Sequence, residues 1–314
     1  MAISDKSVEK KQLNMRTIVL GDLTWIDVVQ PTKEVIKLLT EKYEFNQLDI
    51  EDALSPRQVP KIEEYPNYLF AVFHFSVYNK VERVSYRKQW SAFVGEKFLV
   101  TLRPQELKAP DEIFRECELN ADSKELYMSQ GSGYLLYQII DRAVDSYFKV
   151  LDKILNLMED IEDNVFKEEV EAAKELSFLR RDIITQRRVM FPTRTLLVEL
   201  EKKLKRFSKI DLTIYFSDLM DHINKICDTI DEDTETIEVY KDADFTLSGY
   251  RSNRTTRTMA VLFAIILPIL LGAGIYLMLP DTIVRGIPLF AGFLAGTLIV
   301  VGVILFSFSR RRII

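Results

Sequence analysis

Hydrophobic and polar positions fall into two regimes along this chain. Most of it alternates on the short periods of strands and helices, whereas residues 259–279 and 287–309 are charge-free. These runs hold 21 and 23 residues, each close to the ~20 that a helix needs to cross ~30 Å of hydrocarbon. The pattern predicts two transmembrane helices joined by Pro280-Asp281-Thr282-Ile283-Val284-Arg285-Gly286. Arg251, Arg254 and Arg257 precede the first run, and a basic tail of Arg310, Arg311 and Arg312 follows the second. Positive flanks stay on the cytoplasmic side, so a cell-membrane protein with both termini in the cytoplasm is expected. The N-terminal MAISDKSVEKKQLNM has no apolar stretch behind its charges, and no cleavable secretory signal is expected.

Upstream, residues 1–125 read as a cytoplasmic α+β domain. A short strand is expected at 24–27, and Pro31-Thr32 opens an amphipathic helix through Val35, Ile36, Leu38 and Leu39. A second helix covers 48–54 before Pro56. The β-branched and aromatic run 68–78 suits a strand, and 90–94 and 98–102 flank Gly95-Glu96-Lys97 as a hairpin. An antiparallel sheet with helices packed on it is the expected result. The segment Ser129-Gln130-Gly131-Ser132-Gly133 marks a break.

Long helices follow over residues 134–258. Ile140, Ala143, Tyr147, Val150, Ile154, Leu157, Ile161 and Val165 recur at spacings of three and four. A second helix is expected over 171–207, with Leu176, Leu179, Ile183 and Ile184 apolar and a kink at Pro192. The third starts near Leu212 and meets no proline before Pro268. Continuous to Leu279, it would be about 100 Å long. A helix of that length needs neighbours or copies of itself to pack against, which favours an oligomer. The architecture expected is thus a cytoplasmic domain, long stalk helices, a two-helix membrane domain at 259–309 and a basic tail at 310–314.

One face of the third helix carries Asp218, Asp221, Lys225, Asp228, Glu232, Glu235, Val239, Asp242, Thr246, Gly249, Asn253, Thr256, Met259, Phe263, Leu267, Leu270, Gly274 and Leu277. The stripe is acidic, then polar, then apolar. Two readings apply to its acidic part: a solvated face, or the lining of a cation-attracting funnel formed by several copies around an axis.

Composition narrows the function. Against 42 Lys+Arg stand 47 Asp+Glu, a net charge of −5 that argues against general nucleic-acid binding. Cys117 and Cys227 are the only cysteines, which excludes a disulfide framework or zinc ribbon and suits a reducing cytosol. No nucleophile–base arrangement, phosphate-cradling glycine loop or metal-ligand motif appears, so no enzyme and no cofactor are expected. His222 lies four residues after Asp218, a spacing that permits a shared transition metal or a histidine packed between helices. His74, between two phenylalanines, reads as structural. Arg180-Arg181 and Arg187-Arg188 read as a salt-bridged face or a basic patch. Asp281 is placed to form a carboxylate ring at a pore mouth or to pair with Arg285.

Several segments, in this order and spacing, resemble the CorA family of magnesium transporters: GYLLYQIIDRAVDSYFKVLDKILNLMEDIEDNVF, LSFLRRDIITQRRVMFPTR, YFSDLMDHINKICDTI, SN before the first span, and the basic tail. The resemblance implies a funnel-shaped homopentamer whose first transmembrane helix lines a pore for divalent cations of the magnesium and cobalt type. It implies magnesium as a regulatory ligand between cytoplasmic domains, with Asp218, and Asp221 beside it, as ion-site carboxylates. Its register puts Asp242 and Asn253 at polar pore positions and Met259 at a hydrophobic constriction, and the stripe adds Thr256 to the pore lining. The family filter reads Tyr-Gly-Met-Asn, whereas this chain has Tyr276-Leu277-Met278-Leu279. Leucine offers a hydrated cation no polar partner, so altered selectivity is expected, or loss of conduction with the fold kept as a membrane-anchored ion sensor or scaffold.

Overall fold

A computed structural model describes residues 14–55, 58–79, 81–82, 84–166 and 172–278, with isolated positions between 292 and 302. Asp281, Leu279, Arg310, Arg311, Arg312 and nearly all of the second predicted span lie outside the described residues. The chain divides into two compact units, 1–240 and 241–314.

The first unit opens with β1 (Met15–Leu20), β2 (Leu23–Val29), α1 (Lys33–Tyr43), α2 (Gln47–Leu54), β3 (Lys61–Glu64), β4 (Tyr68–Asn79), β5 (Val84–Gly95) and β6 (Phe98–Arg103). Thr32 caps α1 by accepting from the Val35 N–H, and Asn46 caps α2 by accepting from the Leu48 N–H. The six strands form one sheet in the order β1-β2-β6-β5-β4-β3. It is mixed, not antiparallel as expected, because β2 and β6 pair in parallel, Asp27 opposite Thr101. A parallel pair needs a long crossover, and the chain makes one through α1, α2 and the β3–β5 meander.

Both faces of the central strands are covered, which is why 68–75 reads as an almost unbroken apolar run. On one face Phe70, Val72, Phe93, Val100 and Leu102 pack with Val35, Ile36 and Leu39 of α1 and with Phe45. On the other face lies α6. The buried His74 lies midway along β4, its Nε2 bonded to the Gln58 carbonyl at 2.9 Å, and burial lowers its pKa to about 4.

α3 (Ala109–Leu119) and α4 (Ala121–Met128) lead into α5 (Ser132–Phe166). At the expected break, Gly131 adopts φ +100°, and a Cβ there would stand 2.7 Å from the Phe207 carbonyl. α6 (Ala172–Leu204) runs through Pro192 and ends in a 3-10 turn (Lys205–Phe207) before α7 (Thr213–Met278). α5 buries Ile140, Val144, Tyr147, Leu151, Ile154, Met158 and Ile161. That seam is turned slightly from the predicted stripe, leaving Ala143, Val150 and Leu157 half-buried. Phe216, Leu219, Ile223, Ile226, Cys227, Ile230 and Ile237 form the buried face of α7 within the first unit. Both cysteines are free and buried.

The parallel join between β2 and β6 holds a buried charge. Asp27 accepts from Arg103 Nη2 at 2.9 Å, from Thr101 Oγ1 at 2.8 Å and from Arg16 Nη2 at 2.7 Å. Arg103 also donates to the Leu107 carbonyl at 2.7 Å. A fully bonded buried pair is tolerable, but removing one partner strands the other at ~3–5 kcal/mol. Arg103→Met alone is therefore expected to lower the unfolding temperature of the detergent-solubilised chain more than Arg103→Met with Asp27→Leu. A thermal double-mutant cycle checks this, and strictly additive losses would show the two groups to be uncoupled.

Candidate metal centre

Helices α5 and α7 lie side by side and run in the same sense along their early turns. Tyr137 meets Tyr215 at 5.4 Å and Phe216 at 5.7 Å between ring centroids, and Tyr134 meets Tyr215 at 5.6 Å. Further along, Phe148 packs edge-on against the His222 imidazole at 5.9 Å. Between these aromatic layers the two helices face each other with polar side chains. α5 presents Asp141 and Asp145, four residues apart and so on one face, and α7 presents Asp218 and His222 at the same spacing.

Asp141, Asp218 and His222 each offer one ligand atom, and these atoms lie within 4.8 Å of one another. Donors bound to an ion at ~2.0–2.4 Å stand at most ~4.8 Å apart, twice the bond length, so the group meets that limit. The His222 Nδ1 atom is buried and has no hydrogen-bond partner; the nearest acid, Asp145 Oδ1, is 3.6 Å away. An orphaned buried nitrogen beside two carboxylates suits a cation ligand. Two carboxylates with an imidazole suit borderline ions such as cobalt or zinc, and magnesium with retained waters.

The electrostatics agree. Burial raises the Asp141 pKa, and the negative charges of Asp145 and Asp218 raise it further against the opposing pull of His222 and a Tyr137 hydrogen bond. Burial, with the charges of Asp141 and Asp218, raises the Tyr137 phenol as well. The site is an excess of negative charge that a cation relieves.

Asp218, predicted from the sequence, is in this group, whereas Asp221 is exposed on the adjoining face and lies outside it. Asp141 was not singled out beforehand. The signal was present as Asp141-x-x-x-Asp145, but nothing in one helix says which face meets α7. Lys225, Asp228, Glu232, Glu235 and Val239 are exposed opposite the buried seam of α7.

In the second unit, Asp242, Asn253, Thr256, Met259, Phe263, Leu267, Leu270 and Gly274 are all exposed. α7 is here long and apolar enough to cross a membrane. Leu267 is 55% exposed and Leu270 65%. Tyr276, Leu277 and Met278 lie in the last helical turn. No membrane-spanning candidate other than α7 occurs among the described residues.

The chain is 25% identical over 255 residues to the cobalt/magnesium transport protein CorA of Thermotoga maritima, covering 81% of this chain and 72% of that one. It is 23% identical over 184 residues to the zinc transport protein ZntB of Pectobacterium atrosepticum, covering 59% and 54%. The fold matches the complete structure of the CorA magnesium transporter from Methanocaldococcus jannaschii with a TM-score of 0.76 at 19% identity, over 92% of this chain and 90% of that one. Residues 21–311 match the family described as CorA-like Mg2+ transporter protein. The chain belongs to this family, whose members carry metal ions across membranes and are not enzymes.

Proposed function

We propose that the protein is a homopentameric divalent-cation channel of the CorA type, with α7 innermost, regulated by a divalent cation held at Asp141, Asp218 and His222. The three-ligand group with its orphaned imidazole nitrogen carries the regulatory part of this reading. Its transport part is supported by the exposed acidic and apolar faces of α7. Carboxylates at successive turns draw cations inward, and an apolar constriction gates by dewetting. Two spans per copy, with both termini in the cytoplasm, complete the proposed topology.

Selectivity is proposed to differ from that of a magnesium filter. Magnesium gives up its water shell reluctantly, so its passage depends on polar groups that bind those waters. Leu277 and Leu279 supply none. The same two residues favour a second reading, in which the fold is kept as a non-conducting ion sensor or scaffold.

Three outcomes test these assignments. Native mass spectrometry in mild detergent is expected to give five copies; a stable monomer or dimer would count against the pore.

Magnesium and cobalt are expected to raise the unfolding temperature, by the equivalent of ~2.7 kcal/mol at a hundred times Kd. Asp218→Ala should remove most of both gains, and His222→Ala mainly that of cobalt, because imidazole is a softer donor than carboxylate. The raised Asp141 pKa makes the metal-free fold favour the protonated acid, a benefit lost as pH rises through the raised value. A bound cation has the opposite preference, so the metal-induced shift should grow with pH. Shifts that ignore both variants and pH would remove these residues from the site.

Leu277→Gly with Leu279→Asn is expected to raise magnesium flux into proteoliposomes severalfold from a low wild-type level. High wild-type flux, unchanged by the substitutions, would overturn the account of the filter.

A further inference from the structure

The paired arginines of α6 divide into two sets. Arg180 bonds Glu238 at 3.0 Å and Arg187 bonds Asp231 at 2.8 Å, so this half of the cluster is the salt-bridged face, turned to α7. Arg181 and Arg188 are one residue further round the helix in each case, and neither has an ion pair among the described residues. They line a groove of about 600 Å³ between α6 and the start of β5, together with Arg180 and with Arg87 from the strand.

Four arginines thus border one groove whose lining residues include no acid, and among the described residues Arg180 alone of the four is held in an ion pair, with Glu238. Of the acids beside it, Glu238 engages Arg180, Glu82 accepts from the Tyr86 hydroxyl, and the buried Asp182 accepts from the Ser85 N–H at 2.9 Å and from Gln186 Nε2 at 3.2 Å. Like charges gathered from two different elements repel, and a multivalent anion relieves that repulsion at several points at once. Guanidinium forks match phosphate oxygens in pairs of parallel hydrogen bonds. The groove is of ligand size, larger than one phosphate requires and open along the α6 face.

We propose that this groove binds a polyphosphate chain, either free or as the triphosphate of a nucleotide. Arg181, Arg188 and Arg87 hold it, and Arg180 is drawn partly from Glu238. The assignment does not depend on the metal centre, which is built from α5 and α7.

Isothermal titration calorimetry of the full chain in detergent, without divalent ions, tests it with three probes: sodium triphosphate, ATP and inorganic phosphate. Saturable triphosphate binding is expected, about tenfold or more tighter than phosphate and weakening with salt, because each lost charged hydrogen bond costs about a factor of ten. Equal affinity for ATP would assign the groove to the phosphate chain alone, and tighter ATP binding to a nucleotide; both support it. Arg181→Gln with Arg188→Gln should weaken triphosphate about tenfold or more, and the two lysine replacements by less. Both sites are exposed on the helix surface, and an unchanged unfolding temperature will confirm an intact fold. Asp218→Ala should leave binding unchanged. Absence of saturable binding, full affinity in the double glutamine variant, or an equal loss from Lys33→Gln with Lys202→Gln would overturn the proposal.

Discussion

The arrangement of the first unit depends on a buried polar contact between α6, β5 and α5. Asp182, 3% exposed, receives the Ser85 backbone N–H at the start of β5. Gln186, one turn on, donates to Ser85 Oγ at 2.9 Å and accepts from the Tyr147 hydroxyl of α5. Every group in this contact is removed from water, so misalignment would leave unsatisfied donors and acceptors at ~1–3 kcal/mol each. Apolar packing alone would let α6 slide or rotate on the sheet. The polar contact fixes its rotation, and with it which arginines face α7 and which face the groove.

The same contact bears on the candidate metal centre. Tyr147 holds α5 two turns beyond Asp141 and next to Phe148, whose ring lies against His222. With the aromatic contacts at Tyr134 and Tyr137, it brackets the acidic layer on both sides. Acids gathered in this way oppose folding unless something offsets their repulsion, and the Asp141 carboxyl shows the cost in its raised pKa. A cation converts that repulsion into attraction, which gives a ligand binding only the assembled site leverage over the fold. The arginine groove is the complementary case, positive charge gathered from α6 and β5 with Glu238 engaging Arg180 alone.

The second unit faces a different constraint. The apolar side chains of α7 there remain largely exposed. Water is a poor solvent for such a surface, at ~25 cal/mol per Å² of apolar area, so lipid or neighbouring copies must cover it. Family membership and this uncovered surface point the same way.

Periodicity alone determined the positions of β4, the second half of β5, β6, α5, α6 and α7, because long apolar repeats depend on local geometry and not on partners. The start of α1 was equally legible, since Thr32 caps it within three residues, whereas the Asn46 cap of α2 emerged only from the structure. Lys225, Asp228, Glu232, Glu235 and Val239, one stripe in the sequence, are exposed together on α7. Tertiary structure decided what local rules do not reach. The parallel β2–β6 pair joins residues some 75 positions apart, and no strand's sequence announces its neighbour. Ile184 lines the groove instead of joining the core because the Asp182 contact sets the helix rotation. Asp141 enters the metal group for a similar reason. Its i+4 partner was visible in the sequence, but the facing pair on α7 came from packing between helices more than 70 residues apart.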